Sequence, residues 1–297
     1  LRNEKSEEFN DSTLPSPLIE TAWLAGHLRE PDLRILDCSV VMKATGDGGY
    51  VFVGGRDEWE RGHVPGSVFV NVLTELSAKN DPRPMMMPAP EEFARAMETL
   101  GVGEGTRVVL YDRSNHAWAA RVWWMLRVCG FDAAGVLNGG WQKWISEGRL
   151  TSTEPASYPP GRFRPRPRPG LMVTKQEVLD SLHTKNTKLV NALSPEEHRG
   201  DKKRFARAGR IPGSANVYCQ SLVDPQTHAY LETEQLRERF ETSGAMSAER
   251  VITYCGAGIA ASSDALALTL LGKKSVAVYD GSLTEWTADL ALPMEKD

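Results

Sequence analysis

Three short blocks of this 297-residue chain recur once each, in the same order. GHVPGSVFV at 62–70 returns as GRIPGSANV at 209–217, VVLYD at 108–112 as VITYC at 251–255, and LNGGWQKW at 137–144 as YDGSLTEW at 279–286. The offset drifts only from 147 to 142 residues. A unit this long that occurs twice is a duplicated domain with small insertions. A solenoid would stack units of roughly 20–45 residues several times. The expected division is one domain over 16–148, a linker over 149–171 and a second domain over 172–292. Within that linker, 152–170 is dense in Pro and Arg and has neither a helical nor a strand period. It reads as an extended polyproline-like strap across both domains.

Inside each copy, short apolar runs alternate with helical patterns. The runs are LRILD (33–37), RVVLY (107–111) and AAGVLN (133–138) in the first copy, and KLVNA (188–192), RVITY (250–254) and KSVAVY (274–279) in the second. Between the last two of each set lies an apolar helix, closed by Gly130 or Gly272 in the C-terminal glycine position. Near-continuous apolar strands flanked by helices predict an α/β fold, with each half a mainly parallel sheet covered on both faces.

The duplication also permits an internal comparison. The strand that ends on Asp112 in the first copy ends on Cys255 in the second, and DRSNHAW there becomes CGAGIAA here. A cysteine chosen for packing would be matched by another apolar residue. A loop after a parallel strand sits at the carboxyl end of the sheet, where α/β proteins bind ligands. Gly256 and Gly258 permit a tight turn that aims successive N–H groups inward, and the next helix presents its N-terminus to the same point. Thiols so placed ionise with pKa values of roughly 3.5–7.5, against about 8.5 for a free thiol. Cys255 is therefore the candidate nucleophile, with the amides of Gly256, Ala257, Gly258, Ile259 and Ala260 as its cradle. This reading requires a thiol open to solvent and amides turned inward. A cysteine phosphatase or arsenate reductase needs an arginine six residues beyond the cysteine to clamp the oxyanion. That position is Ala261, and the loop holds no arginine.

These residues resemble the rhodanese and 3-mercaptopyruvate sulfurtransferase family. CGAGIAA after VITY is similar to its active-site loop, and the paired GHVPGS and GRIPGS motifs, RVWWMLRVCGF and YDGSLTEW follow in the family's order from about residue 16 to 292. The resemblance implies two rhodanese-like domains, a catalytically inactive first one and a second that passes sulfur through a Cys255 persulfide. Loops with Arg and Lys beside the cysteine resemble thiosulfate enzymes. CGAG is nearer the Cys-Gly-Ser-Gly of mercaptopyruvate enzymes, with Ala257 in the serine's place, so mercaptopyruvate is the expected better donor. Relatives hold the donor's anionic group with two arginines from the segment that here reads SPEEHRGDKKRFARAGRIPGS (194–214). Glu197 stands where one normally sits, which leaves Arg199 and Arg204 as the substrate-binding candidates, with Lys203 a looser match for the second. His63 corresponds to a histidine that lies near the active site across the domain interface in mercaptopyruvate-type relatives; Arg210 takes its place in the second copy. Asn191 and Asp37 at matching strand ends, and Trp118, Trp123, Trp124 and Trp141, are expected to be structural.

Composition closes off other classes. Lys and Arg number 35 against 39 acids, so nothing global favours nucleic acid or an anionic membrane. The four cysteines are widely separated and show neither metal-ligand nor CxxC spacing, so no metal and no disulfide framework are expected. No apolar run approaches the roughly 20 residues of a membrane span. The chain starts on Leu1 rather than Met, as a trimmed start would, its polar opening carries no signal segment, and the sequon at Asn10 reads as chance. The expectation is a cytoplasmic sulfurtransferase without cofactor, taking sulfur from a small anionic donor and giving it to cyanide, a thiol or a reduced thioredoxin-like protein. The alternative is a non-enzymatic persulfide carrier or redox-sensing module that uses the same thiolate.

Overall fold

The computed structural model describes residues 14–46 and 50–297; Asn10 lies outside them. The first half runs β1 (Leu18–Ile19), α1 (Thr21–His27), β2 (Leu33–Asp37), β3 (Val40–Ala44), β4 (Tyr50–Gly54), α2 (Arg56–Arg61), β5 (Ser67–Phe69), α3 (Pro90–Thr99), β6 (Arg107–Tyr111), α4 (Ala117–Val128), β7 (Ala134–Leu137) and α5 (Gly140–Ser146). The second runs β8 (Met172–Val173), α6 (Lys175–Ser181), β9 (Thr187–Asn191), α7 (Pro195–Arg199), β10 (Ala215–Asn216), a short 3-10 turn (Cys219–Leu222), α8 (Thr233–Thr242), β11 (Arg250–Tyr254), α9 (Ile259–Leu270), β12 (Val276–Tyr279) and α10 (Ser282–Ala288). Both sheets are five-stranded and parallel, in the orders β1-β7-β6-β2-β5 and β8-β12-β11-β9-β10. The two halves thus share one topology. The antiparallel β3–β4 hairpin is an addition of the first half.

The β-branched runs RVVLY and RVITY become the central strands β6 and β11, covered on both faces. The helices that follow them, α4 and α9, are apolar nearly all round, and a helix of that kind has to be buried on every side. They pack against each other between the two sheets. One hydrophobic core therefore runs through both halves. Polar bonds pin the junction: Trp124 Nε1 to the carbonyl of Leu171 at 3.1 Å, Met87 N–H to Asp280 at 2.8 Å, Tyr230 N–H to Asn138 at 2.9 Å, and the Arg83–Glu285 ion pair.

The Pro/Arg-rich strap is extended; its backbone follows the first half up to Arg168 and meets the second at Gly170, whose carbonyl accepts from Arg250. Gly161 donates to Glu98, Arg162 accepts from Glu104, and Arg166 and Arg168 donate to Cys129 and Val128. Phe163 is buried against Phe93 and Phe131. The apolar anchor sits in the first domain's core, so the segment adheres there. Among the described residues, no helix is long and apolar enough to cross a membrane.

Candidate active site

Each central strand ends at a loop that turns into the buried helix, and the two loops are built alike. The helix starts after a residue in the left-handed region: His116 (φ 66°) before α4 and Gly258 (φ 76°) before α9. The carbonyl of the strand-end residue accepts from Trp141 N–H in one half and Leu283 N–H in the other. Asp112 and Cys255 are thus equivalent positions, with three residues between strand end and helix cap in the first loop and two in the second.

In the first loop the cradle is already full. One oxygen of Asp112 accepts from Ser114 N–H (2.8 Å) and His116 N–H (3.2 Å), and the other from Trp118 and Ala119 N–H (both 3.1 Å). The Ser114 hydroxyl adds a fifth bond at 3.0 Å. A carboxylate attached to the strand end thus satisfies the donors that a helix N-terminus leaves open.

In the second loop Cys255 replaces that carboxylate. Ala260 and Ala261 stand where Trp118 and Ala119 stand, at the second and third positions of the helix. Among the described residues, the N–H groups of Gly256, Ala257, Ile259, Ala260 and Ala261 meet no protein acceptor. The other two loop amides are tied: Cys255 N–H and Gly258 N–H both donate to Ser282 Oγ (3.1 and 3.2 Å), whose hydroxyl donates to the carbonyl of Tyr279 (2.7 Å). Ser282 holds φ 46°, and its counterpart Gly140 holds 51°. A left-handed non-glycine residue costs roughly 1–2 kcal/mol. Here the strained side chain is the loop's anchor.

The thiol is not open to solvent, contrary to the sequence expectation: Cys255 is 2% exposed. The Phe205 ring lies on Gly256, where a Cβ would meet it at 2.8 Å. This ring follows from the segment after α7, and nothing in the CGAG motif announces it. Of the amides without a protein acceptor, Ala260 and Ala261 hold the helix positions whose counterparts, Trp118 and Ala119, donate to Asp112.

The remaining predicted residues fall in different places. Arg204 is half-exposed, its guanidinium 5.8 Å from the Phe205 ring centroid and 3.5 Å from Glu197. Arg199 is ion-paired with Asp201 at 2.8 Å, and its carbonyl accepts from Asp297 near the C-terminus. Arg207 binds four carbonyls around the end of α10, and Arg210 pairs with Glu295 and Asp297. Of these arginines, Arg204 is the one that contacts Phe205, whose ring lies on Gly256. His63 is fully buried in the first half: Nδ1 meets the carbonyl of Trp59 (2.8 Å), Nε2 that of Glu154 (3.0 Å), and the ring stacks on Trp59. It bridges to Ser152 as Arg210 bridges to Glu295. Both residues pin the chain that leaves their own domain, so the substrate contact expected of His63 is replaced by a structural one. Asn191 and Asp37 do matching work, each side chain accepting the N–H two residues on.

Sequence reasoning missed Ser282, Phe205, Ala261 and a buried pair at the interface, Arg121 and Asp280. The signal for Ser282 was present in the repeat, where DGS stands against NGG. Cys219, on the 3-10 turn, is buried near the site, and burial with Asp264 and Cys255 nearby pushes its thiol well up. No cluster of three or more His, Cys, Asp or Glu able to hold a metal occurs among the described residues.

Comparison with known proteins places the site in a family. The Rhodanese-like domain matches twice, over residues 20–147 and 174–289. The chain is 34% identical over 279 residues to the thiosulfate sulfurtransferase of Cricetulus griseus, covering 91% of each chain. It is 32% identical over 295 residues to the sulfur carrier protein TtuD of Thermus thermophilus, covering 95% of this chain and 97% of that one. The crystal structure of the 3-mercaptopyruvate sulfotransferase SseA from Escherichia coli superposes with a TM-score of 0.79 at 30% identity, over 90% of this chain and 98% of that one.

Proposed function

The chain belongs to the tandem rhodanese-like sulfurtransferases, and from that premise we propose that Cys255 carries the sulfur and the open amides of its loop hold it. The enzyme moves a sulfane sulfur from an anionic donor, 3-mercaptopyruvate or thiosulfate, to a thiophilic acceptor. The Cys255 thiolate attacks the donor's outer sulfur and forms an S–S bond. With mercaptopyruvate the C–S bond breaks and the electron pair leaves as the enolate of pyruvate, which takes up a proton. With thiosulfate the S–S bond breaks and sulfite leaves. An acceptor then attacks the terminal sulfur: cyanide departs as thiocyanate and a thiol as its persulfide, and each regenerates the thiolate.

The observation that carries this reading is the contrast between the loops. One cradle binds its own carboxylate through four amides, and the equivalent cradle has its donors free around a thiol. Such donors stabilise negative charge on the transferred sulfur without reorganisation. Arg204 is the cation for the donor's carboxylate or sulfonate. Because the loop itself holds no cation, mercaptopyruvate is the preferred donor. Steady-state kcat/KM on the two donors tests this: mercaptopyruvate should exceed thiosulfate, and the reverse order would contradict the donor assignment. A second reading, a carrier that hands its persulfide to a protein, draws support from the likeness to the sulfur carrier TtuD and from the roofed thiol. Negligible turnover with cyanide or small thiols, beside rapid loading, would favour it.

A further inference from the structure

The two loops sit at matching points of a pseudo-two-fold domain interface, and the residues that meet them across it differ in charge. At the inactive loop the second half supplies Ser263, whose hydroxyl pairs with Tyr230 at 2.7 Å, and Tyr230 stacks on His116 of the loop. The neutral Asn138 then accepts from Tyr230 N–H. At the Cys255 loop the first half supplies Arg121 in the position equivalent to Ser263. Asp280 takes the place of Asn138 and accepts from Met87 N–H at 2.8 Å. Arg121 is 1% exposed; its Nη2 donates to the carbonyl of Met85 at 3.0 Å and lies 2.6 Å from Asp280. Its Nη1 has no hydrogen-bond partner among the described residues. That nitrogen and an Asp280 oxygen are each 2.9 Å from where a Cβ on Gly258 would be. The ion pair therefore grips the left-handed corner from which the amides of Ile259, Ala260 and Ala261 are aimed.

We propose that Arg121 of the non-catalytic domain is a positioning residue for the sulfur cradle, gripping the Gly258 corner together with Asp280. A buried guanidinium with an unused donor is costly to keep, and the equivalent corner of the inactive loop does without one. The other charged or titratable groups packed about the corner are Cys219 from the 3-10 turn, Arg204 beyond Phe205, and Arg83 and Glu285 behind Asp280. None of these reaches Gly258 as Arg121 does. The first domain, though without a nucleophile, thus completes the active site of the second.

The inference rests on the persulfide assignment, and the experiment separates the two. Full-length protein is loaded with mercaptopyruvate, freed of donor, given a fixed excess of cyanide and weighed intact over time; the sulfur leaves as thiocyanate, and its loss gives a pseudo-first-order constant that does not depend on the active fraction. In the double variant Arg121→Ser/Asp280→Asn, which copies the inactive corner and leaves no unpaired charge, sulfur loss should be about tenfold faster, a change of ~1.4 kcal/mol in the barrier. Arg121→Lys should recover part of that loss, and Ser263→Ala at the matching inactive corner should decay as the wild type does. If the folded double variant loads and holds sulfur within twofold of wild type, or if Lys fails to rescue, the positioning role is wrong. If the wild type itself gains no sulfur on Cys255, the persulfide assignment fails instead.

Discussion

The loops after β6 and β11 are the same piece of backbone given opposite chemical tasks. Each starts at the end of the central strand, turns through a left-handed residue and opens a buried helix. The first carries an internal anion, so its helix N-terminus is complete and has nothing left to offer. The second carries a thiol, and its helix N-terminus has donors to spare. The contrast in this pair is thus between a cradle filled by its own carboxylate and one whose strand end carries a cysteine and no carboxylate. The supports differ in the same sense. The inactive corner is closed by stacked rings and a neutral amide. The active corner is held by a strained serine and an interdomain ion pair.

Exchanging features between the halves tests this contrast. Ser282→Gly copies Gly140, relieving the left-handed strain while deleting the anchor of two loop amides. We expect stability within about 1 kcal/mol of wild type but kcat lower by roughly 10²-fold, measured as thiocyanate formation per titrated Cys255. An unchanged kcat would show that the anchor is dispensable. Asp112→Ala empties the first cradle and strands its donors. Denaturant unfolding should show a loss of about 2 kcal/mol, with kcat/KM per folded molecule retained; a fall in catalysis as large as that in stability would mean that the halves are not independent in this respect. Arg204→Gln removes the cation proposed to hold the donor. KM for mercaptopyruvate should rise about tenfold with kcat little changed, a difference of ~1.4 kcal/mol in donor binding; an unaltered KM would move the donor site elsewhere.

The smallest effect concerns the helices themselves. Asp264 on α9 occupies the place of Val122 on α4; both its oxygens lack partners and burial pushes its pKa well up. From the ordinary Asp range near pH 4 up to that raised value, folding takes up a proton, so stability falls as pH rises. Asp264→Asn should therefore gain about 1 kcal/mol at pH 7, and the gain should vanish below about pH 4. A destabilised variant at pH 7 would instead point to a partner for this carboxyl.

How far these features were readable in the sequence depends on how local their causes are. The duplication is visible because matching blocks keep their order, and the central strands because the four-residue runs VVLY and VITY need two covered faces. The loop chemistry is visible because Cys255, Gly256 and Gly258 adjoin each other in the chain. Arg121 was hidden: it is a single cation in ARVWWML, and its partner Asp280 lies in the other domain. His63 misled because a motif position indicates proximity but not which way the ring points, and the ring is held by the carbonyls of Trp59 in its own domain and Glu154 in the linker. The burial of Cys255 was hidden likewise, since Phe205 reaches Gly256 only through the fold.

The central question is whether the strand end that carries Cys255 accepts a sulfur that the one carrying Asp112 does not. Full-length protein mixed with mercaptopyruvate and weighed intact should gain the mass of one sulfur, lose it to cyanide, and show no gain in Cys255→Ser, whose turnover should fall by roughly 10³-fold or more. A sulfur that still appears in Cys255→Ser, or turnover that survives there, would contradict the assignment to Cys255.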